Sequence, residues 1–215
     1  MKNQKVSIIV RTKNEERWID KCLAAIAEQQ HKNHEVIVVD NDSTDATVAK
    51  AKAFAVKLVN ISQFRPGEAL NIGIRASTGD VIVCLSAHCI PTGPDWLGNL
   101  ITPLADANVA GVYGRQEPLP FSDPHDKRDL LTVFGLDRKE QQRDPFFHNA
   151  NSAILRSTWE KFPFDEEVRT SKTACGARRS STPVAPSCTN LRRAYFTGTV
   201  STRVSMPSAP TAWCA

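Results

Sequence analysis

Aspartate and glutamate stop at Glu167. All 23 acidic residues of this 215-residue chain lie before residue 169, and the last 47 residues, Arg169 to Ala215, contain none. That stretch holds seven Arg or Lys and four Pro, is rich in Ser and Thr, and has no recurring apolar period. Such a composition builds a core poorly, so a disordered tail is expected. Without the tail, 20 basic residues face 23 acidic ones, a net of −3, so the +4 of the whole chain belongs to the tail. It is not the mark of a nucleic-acid surface. The six cysteines (Cys22, Cys84, Cys89, Cys175, Cys188 and Cys214) show no C-x-x-C spacing and are too sparse for a disulfide framework, which points to a reducing compartment. No run approaches the roughly 20 apolar residues of a membrane span. The apolar run Val6 to Val10 is too short for a signal peptide. A cytoplasmic protein is expected, with peripheral contact at the inner face of a membrane. No G-x-G-x-x-G follows the first apolar run, which disfavours a dinucleotide-binding domain.

What is present before residue 169 has the length of one domain of ordinary size. Val6 to Val10 is a β-branched run, followed by the polar segment Arg11 to Glu16 and by Trp18, Ile19, Cys22, Leu23 and Ile26 at helical spacing. The pattern recurs: Glu35 to Val39 reads as a strand and Ala46 to Phe54 as a helix, with Ser43 or Thr44 as its N-cap. Lys57 to Ile61 and the fully apolar Val81 to Leu85 read as further strands around a helix at Glu68 to Ser77 closed by Gly79. Asp95 to Leu104 reads as a helix and Val109 to Tyr113 as a strand, and the prolines from Pro118 to Pro145 suggest a long excursion over the sheet. Strands alternating with helices at this spacing predict a doubly wound, mostly parallel α/β sheet.

In such a sheet, ligands sit beyond the carboxyl ends of the strands. Three polar clusters occupy that position: Thr12 to Glu15, Asp40 to Asp45, and Ser86 to His88. Acidic groups there can accept hydrogen bonds from a nucleobase or ribose, and a histidine can hold a metal on a diphosphate. One polar loop is ordinary surface; three at one end of a sheet point to a site.

Four segments together resemble the family 2 glycosyltransferases of the GT-A fold, over about Lys5 to Val168. They are V-S-I-I-V-R-T-K-N-E from Val6, V-I-V-V-D-N-D-S-T-D-A-T from Val36, R-P-G-E-A-L-N-I-G-I from Arg65, and the strand ending at Leu85 followed by S-A-H. The resemblance implies transfer of a sugar from a nucleotide-sugar donor to a glycan or lipid-linked acceptor, in envelope or capsular polysaccharide synthesis. By the same resemblance Thr12 and Glu15 line the nucleotide pocket, Asp40 contacts the base with Asp42 in the same loop, and Arg65 approaches the diphosphate. Asn71 and Gly73 would serve the packing of the helix beneath that loop. The family's metal motif, D-x-D or D-x-H, reads Ser86-Ala87-His88 here. A hydroxyl replaces the first carboxylate, and Mg or Mn at His88 is the expectation that remains. Asn149 to Arg156 resembles the acceptor-side strand; His148 and Asn151 are contacts to sugar or acceptor, or else strand and turn residues.

An inverting transferase needs a base for the acceptor hydroxyl. In the family that base is the Asp of an E-D pair shortly after the segment represented here by Phe164 to Glu167, but no carboxylate follows. The genetic code offers an account. Most residues fix the first two nucleotides of their codon, so each third nucleotide joined to the next two gives a shifted reading. From Arg169 to Ala177 that reading permits N-I-E-D-R-V-W-G, from Pro183 to Leu191 G-R-T-V-M-Y-E-P, and from Tyr195 to Arg203 F-H-W-H-G-I-H-Q. All three resemble the family's continuation, in order and in one frame. The expectation is a domain at 1–168 joined to an out-of-frame tail at 169–215, with poor solubility where the lost segment leaves apolar sheet uncovered. The rival reading is a noncatalytic nucleotide-sugar-binding remnant. The coding DNA checks this: its third-position bases are expected to spell those strings after a one-nucleotide deletion near codon 168, and incompatible bases rule the frameshift out.

Overall fold

The computed structural model describes residues 4–120, 122–137, 139–141, 147–167 and 194–204. Its centre is β1 (Val6–Thr12), a strand with Val6, Ile8, Ile9 and Val10 fully buried. It pairs in parallel with β2 (His34–Asp40) on one side and β4 (Val81–Ser86) on the other, and β3 (Lys57–Asn60) extends the parallel set beyond β2. The sheet then turns mixed. Antiparallel β8 (Asn151–Leu155) joins β4, and β6 (Gly111–Pro118) runs antiparallel to β8. Beyond β6 come β9 (Ala194–Val204), β5 (Cys89–Pro91) and β7 (Lys139–Gln141), giving the order β3-β2-β1-β4-β8-β6-β9-β5 with β7 against β9. The doubly wound, mostly parallel arrangement expected of the first half is therefore present. Of the acid-free tail, Ala194–Val204 is a strand of the sheet, and the expectations for 168–193 and 205–215 lie outside the described residues.

Alternation along β1 sends side chains to two helical layers. Val6, Ile8 and Val10 pack with Ile19, Cys22, Leu23 and Ile26 of α1 (Ile19–Ala27) and with Trp96, Leu97 and Leu100 of α4 (Trp96–Ile101). Ile9 faces the other way, with Ile37 and Val39 of β2 and with Leu70 and Ile74 of α3 (Pro66–Arg75). Each such fully buried aliphatic side chain contributes about 1.5–3 kcal/mol. Helix α3 lies so close to the sheet that a Cβ on Gly73 would sit 2.5 Å from Ile9 Cγ2 and 2.8 Å from Val39 Cγ2. Asn71, 1% exposed, ties the same helix to the segment after α6 (Arg156–Lys161). Its amide donates to the Phe164 carbonyl and Glu166 Oε1, both at 2.8 Å, and accepts from Trp159 Nε1 (2.8 Å) and the Phe164 N–H (3.2 Å). The expected packing role of Asn71 and Gly73 has this geometry.

Several expected boundaries move. Helix α2 covers Thr47–Ala51, shorter than Ala46 to Phe54, and has no side-chain cap. The Ser43 hydroxyl goes to Asp40 instead, and the Thr44 hydroxyl to Asn14 Oδ1. The helix expected to reach Leu104 ends at Ile101 and tightens into a 3-10 turn, Thr102–Ala105, around Pro103. Within the proline-rich excursion lies α5 (Pro124–Phe134), whose first turn is capped by Asp123 accepting from the His125 N–H at 2.7 Å.

At the amino edge of the sheet, Glu35 gathers the starts of three strands. Its Oε1 accepts from the Ser7 hydroxyl (2.7 Å), the Thr78 N–H (2.6 Å) and the Thr78 hydroxyl (3.0 Å), and Lys5 Nζ lies 3.4 Å from Oε2. Burial opposes the charged form, but these bonds and Lys5 outweigh it and lower the pKa from 4.5 to about 2. A carboxyl depressed in the fold adds stability that is complete above its unfolded pKa and is lost as pH falls through the folded one. Urea unfolding between pH 6 and 2 is expected to show a loss of stability below about pH 4.5 that is smaller in Glu35→Gln, whose stability at pH 6 is already reduced.

Candidate functional site

The register gathers the predicted residues at one edge. Thr12 pairs with Asp40 across β1 and β2, and Arg11 pairs with Ser86 across β1 and β4. All three strands run the same way, so Thr12, Asp40 and Ser86 share the carboxyl end. Asn151 begins antiparallel β8 opposite Leu85, and Arg65 precedes α3 after β3, which brings both to that edge. The chain goes from β1 outward to β2 and β3, then returns to place β4 on the other flank of β1. The loops after β1 and β4 therefore leave the sheet side by side at its carboxyl edge, where open α/β sheets bind ligands.

Glu15 and His88 meet between those two loops. His88 Nδ1 lies 2.8 Å from Glu15 Oε1, with the two side chains 11% and 20% exposed. An ionised carboxylate only accepts, so the imidazole nitrogen that faces it, Nδ1, carries a proton. Ser86 is buried, and the Arg11 guanidinium approaches its hydroxyl at 3.5 Å and the Asn149 carbonyl at 3.3 Å. On the other side of β1, Asp40 and Asp42 line a hollow of about 330 Å³ with Ser43, Val48, Leu58, Val59 and Asn60. Asp40 is 4% exposed and accepts from the Ser43 N–H at 3.0 Å, while Asp42 Oδ1 accepts from Asn60 Nδ2 at 2.7 Å. Asp42 and Asn14 carry φ values of 47° and 51°, the left-handed turns that bring their two loops together. Arg65 is half-buried and lies 3.9 Å from Glu68 one turn along its own helix.

Comparison with known proteins fits this geometry. The sequence model described as glycosyl transferase family 2 matches residues 7–162. The chain belongs to that family. It is 32% identical over 120 residues to glycosyltransferase AglE of Haloferax volcanii, covering 52% of this chain and 39% of the relative. It is 29% identical over 124 residues to the O-antigen chain rhamnosyltransferase RfbN of Salmonella typhimurium, covering 56% and 40%. Among solved structures, the mannosyltransferase PcManGT of Pyrobaculum calidifontis, in complex with GDP-Man and Mn2+, shares the fold with a TM-score of 0.69 at 24% identity, over 96% of this chain and 58% of that one. The chain thus spans about two fifths of the length of these curated relatives. The α/β sheet is the GT-A fold expected from the sequence.

Whether the S-A-H segment suits the divalent ion that accompanies this family turns on its donors. A proton on Nδ1 with a carboxylate behind it is an arrangement common to metal-ligating histidines. Among the described residues no group of three His, Cys, Asp or Glu converges on a metal. Of the S-A-H segment, only His88 matches a common metal-ligand type.

The acceptor-side residues are placed differently from one another. Asn151 is fully buried, and its Oδ1 accepts from Trp96 Nε1 at 3.1 Å. His148 is half-buried against Phe134, ring centroids 5.4 Å apart. Its Nδ1 accepts from Gln116 Nε2 (2.7 Å) and faces the Ala150 N–H (3.4 Å), so Nε2 carries the proton. Sequence reasoning missed the links that hold these groups: Gln116 to His148, Arg11 to Ser86, and Asp45 and Thr47 to the loop after β1. Arg11, Ser86, Asp45 and Thr47 had a signal, since they stand inside the V-S-I-I-V-R-T-K-N-E, S-A-H and D-N-D-S-T-D-A-T segments.

Burial, then the nearby Arg11 and His88, lowers the His148 pKa from 6.5 to about 4. A histidine depressed in the fold adds stability above its unfolded pKa that is lost as pH falls toward the folded one. The His148 ring signals in nitrogen-15 NMR are expected to hold constant from pH 8 to about 5.5 and to titrate near 4, unlike a model histidine.

Proposed function

We propose that this chain is the donor-binding part of a glycosyltransferase that moves a sugar from a nucleotide-sugar donor to a glycan or lipid-linked acceptor, in envelope or capsular polysaccharide synthesis. The observation that carries this is the Glu15 to His88 contact between the loops after β1 and β4. The names of the relatives, a rhamnosyltransferase of O-antigen chains and a mannosyltransferase holding GDP-Man and Mn2+, support the substrate class.

Thr12, Asp40 and Asp42 suit the nucleoside end, where the hollow beside β2 has apolar walls and carboxylate acceptors. Glu15, Ser86 and His88 suit the diphosphate end, with Arg65 at the start of α3 as a cation for the phosphates. A bound Mg or Mn would neutralise charge on the diphosphate leaving group. His148 is the candidate for contact with sugar or acceptor, and the buried Asn151 donates its N–H to the His148 carbonyl at 3.5 Å. Peripheral contact with a membrane is supported by Leu131, Val133 and Leu136 on and after α5, which are 50%, 52% and 66% exposed. No described helix is long and apolar enough to cross a membrane.

Transfer requires the acceptor oxygen to bond to the anomeric carbon while the bond to the diphosphate breaks and the hydroxyl proton passes to a base. His148 does not suit that task, because its Nδ1 lone pair is engaged and burial keeps its basicity low. The family's E-D pair has no counterpart after Glu167 in this sequence. That favours a second reading, a nucleotide-sugar-binding remnant without turnover. Donor hydrolysis and sugar transfer, measured for this chain and for one carrying the frame-restored tail, separate the two. Binding in both with turnover only in the restored chain is expected, and His88→Ala is expected to weaken Mn-dependent nucleotide-sugar binding about tenfold or more in calorimetry. Unchanged affinity in that variant removes the metal role of His88.

A further inference from the structure

Thr47, at the first turn of α2, is fully buried. A threonine in that position ordinarily turns its hydroxyl to its own helix. Here the hydroxyl donates to Asp45 Oδ1 and accepts the Glu15 N–H at 2.7 Å. Asp45 takes the Thr47 N–H on Oδ1 at 3.0 Å and the Glu16 N–H on Oδ2 at 3.1 Å. The Ala46 N–H returns to Glu16 Oε2 at 3.0 Å. Farther out, Asn14 completes the seam: its N–H donates to the Ser43 hydroxyl (2.9 Å) and its Oδ1 accepts the Thr44 N–H (2.8 Å). The loop after β1 is thus stitched to the loop after β2 along its length, and Thr47 is the buried stitch at Glu15.

We propose that Thr47 is a positioning residue of the donor site: it fixes the backbone of Glu15, Glu15 fixes the imidazole of His88, and His88 meets the diphosphate end of the donor. The inference rests on the donor-site reading above. It also gives the β2–α2 loop two duties, since Asp40 and Asp42 at its start face the nucleoside hollow and Thr47 at its end governs the phosphate side. Replacing the hydroxyl by a methyl, as in Thr47→Val, keeps the shape of the side chain. It leaves the Glu15 N–H unanswered and frees the carboxylate to leave His88, so the imidazole loses the Glu15 acceptor that holds a proton on Nδ1.

Two measurements on the full chain test this. In nitrogen-15 NMR without ligand, wild type and Thr47→Ser are expected to show His88 protonated on Nδ1, and Thr47→Val a mixture of tautomers. In calorimetry with Mn2+, UDP and GDP are expected to bind Thr47→Val about tenfold more weakly than wild type, while uridine and guanosine bind both alike and Thr47→Ser recovers the loss. A Thr47→Val chain with the wild-type His88 spectrum and wild-type diphosphate affinity overturns the proposal. Equal weakening toward nucleoside and diphosphate also overturns it, because a general loosening of the loop would do that. Should Thr47→Val fail to fold, Asp45→Asn weakens the acceptor of the same hydroxyl and is expected to shift both readouts in the same direction; no shift there overturns the proposal. A wild-type chain that binds neither nucleotide removes the donor-site reading, whereas the His88 spectrum still reports on Thr47.

Discussion

Strand β1 is sealed on both faces by helical layers and on both edges by parallel neighbours, so a polar side chain within it needs a partner of its own, as Ser7 has in Glu35. Val6, Ile8, Ile9 and Val10 are fully buried, and the remaining polar residues, Arg11 and Thr12, stand at its carboxyl end. β4 obeys the same rule, apolar through Leu85 and then Ser86 and His88, and β2 does so at Asp40. The parallel register places those ends side by side. The polar residues therefore gather along that edge, where open α/β sheets bind ligands. The composition of the core thus decides where chemistry can occur.

The parts of the fold legible in the sequence are those that this burial writes plainly. Continuous β-branched runs gave β1, β2 and β4 to within a residue or two, and the helical period of Ile19, Cys22, Leu23 and Ile26 gave α1. Where local signals compete, the reading fails. Ser43 and Thr44 look like helix caps, but Asp40 and Asn14 claim their hydroxyls. The prolines after Pro118 conceal α5, although Asp123 followed by Pro124 is itself a helix start. β5 is three residues long and exists through its pairing with β9, which no local pattern announces. The site divides in the same way. Its edge residues can be named from strand ends, whereas the bonds that orient them span large separations: 73 residues for Glu15 and His88, 32 for Thr47 and Glu15, 32 for Gln116 and His148.

Electrostatically, this edge differs from one built on paired carboxylates. Beside Ser86 the neighbour across the strand pair is a guanidinium, Arg11, and the carboxylate near His88 comes from the loop after β1. Arg11 also reaches the Asn149 carbonyl, and its charge helps keep His148 neutral. One cation therefore links β4 to the segment that leads into β8, through fixed charge as well as through the sheet.

The close approach of α3 has a consequence for the end of the domain. A Cβ on Gly67 would collide with the Asp165 carbonyl, and Asn71 holds Phe164 and Glu166, so the chain after α6 is pressed onto the first turns of α3, next to Arg65. The polypeptide up to Glu167 is therefore held by α3 whatever follows it. A change of reading frame after that point leaves this clamp intact, because every residue that forms it lies before residue 168.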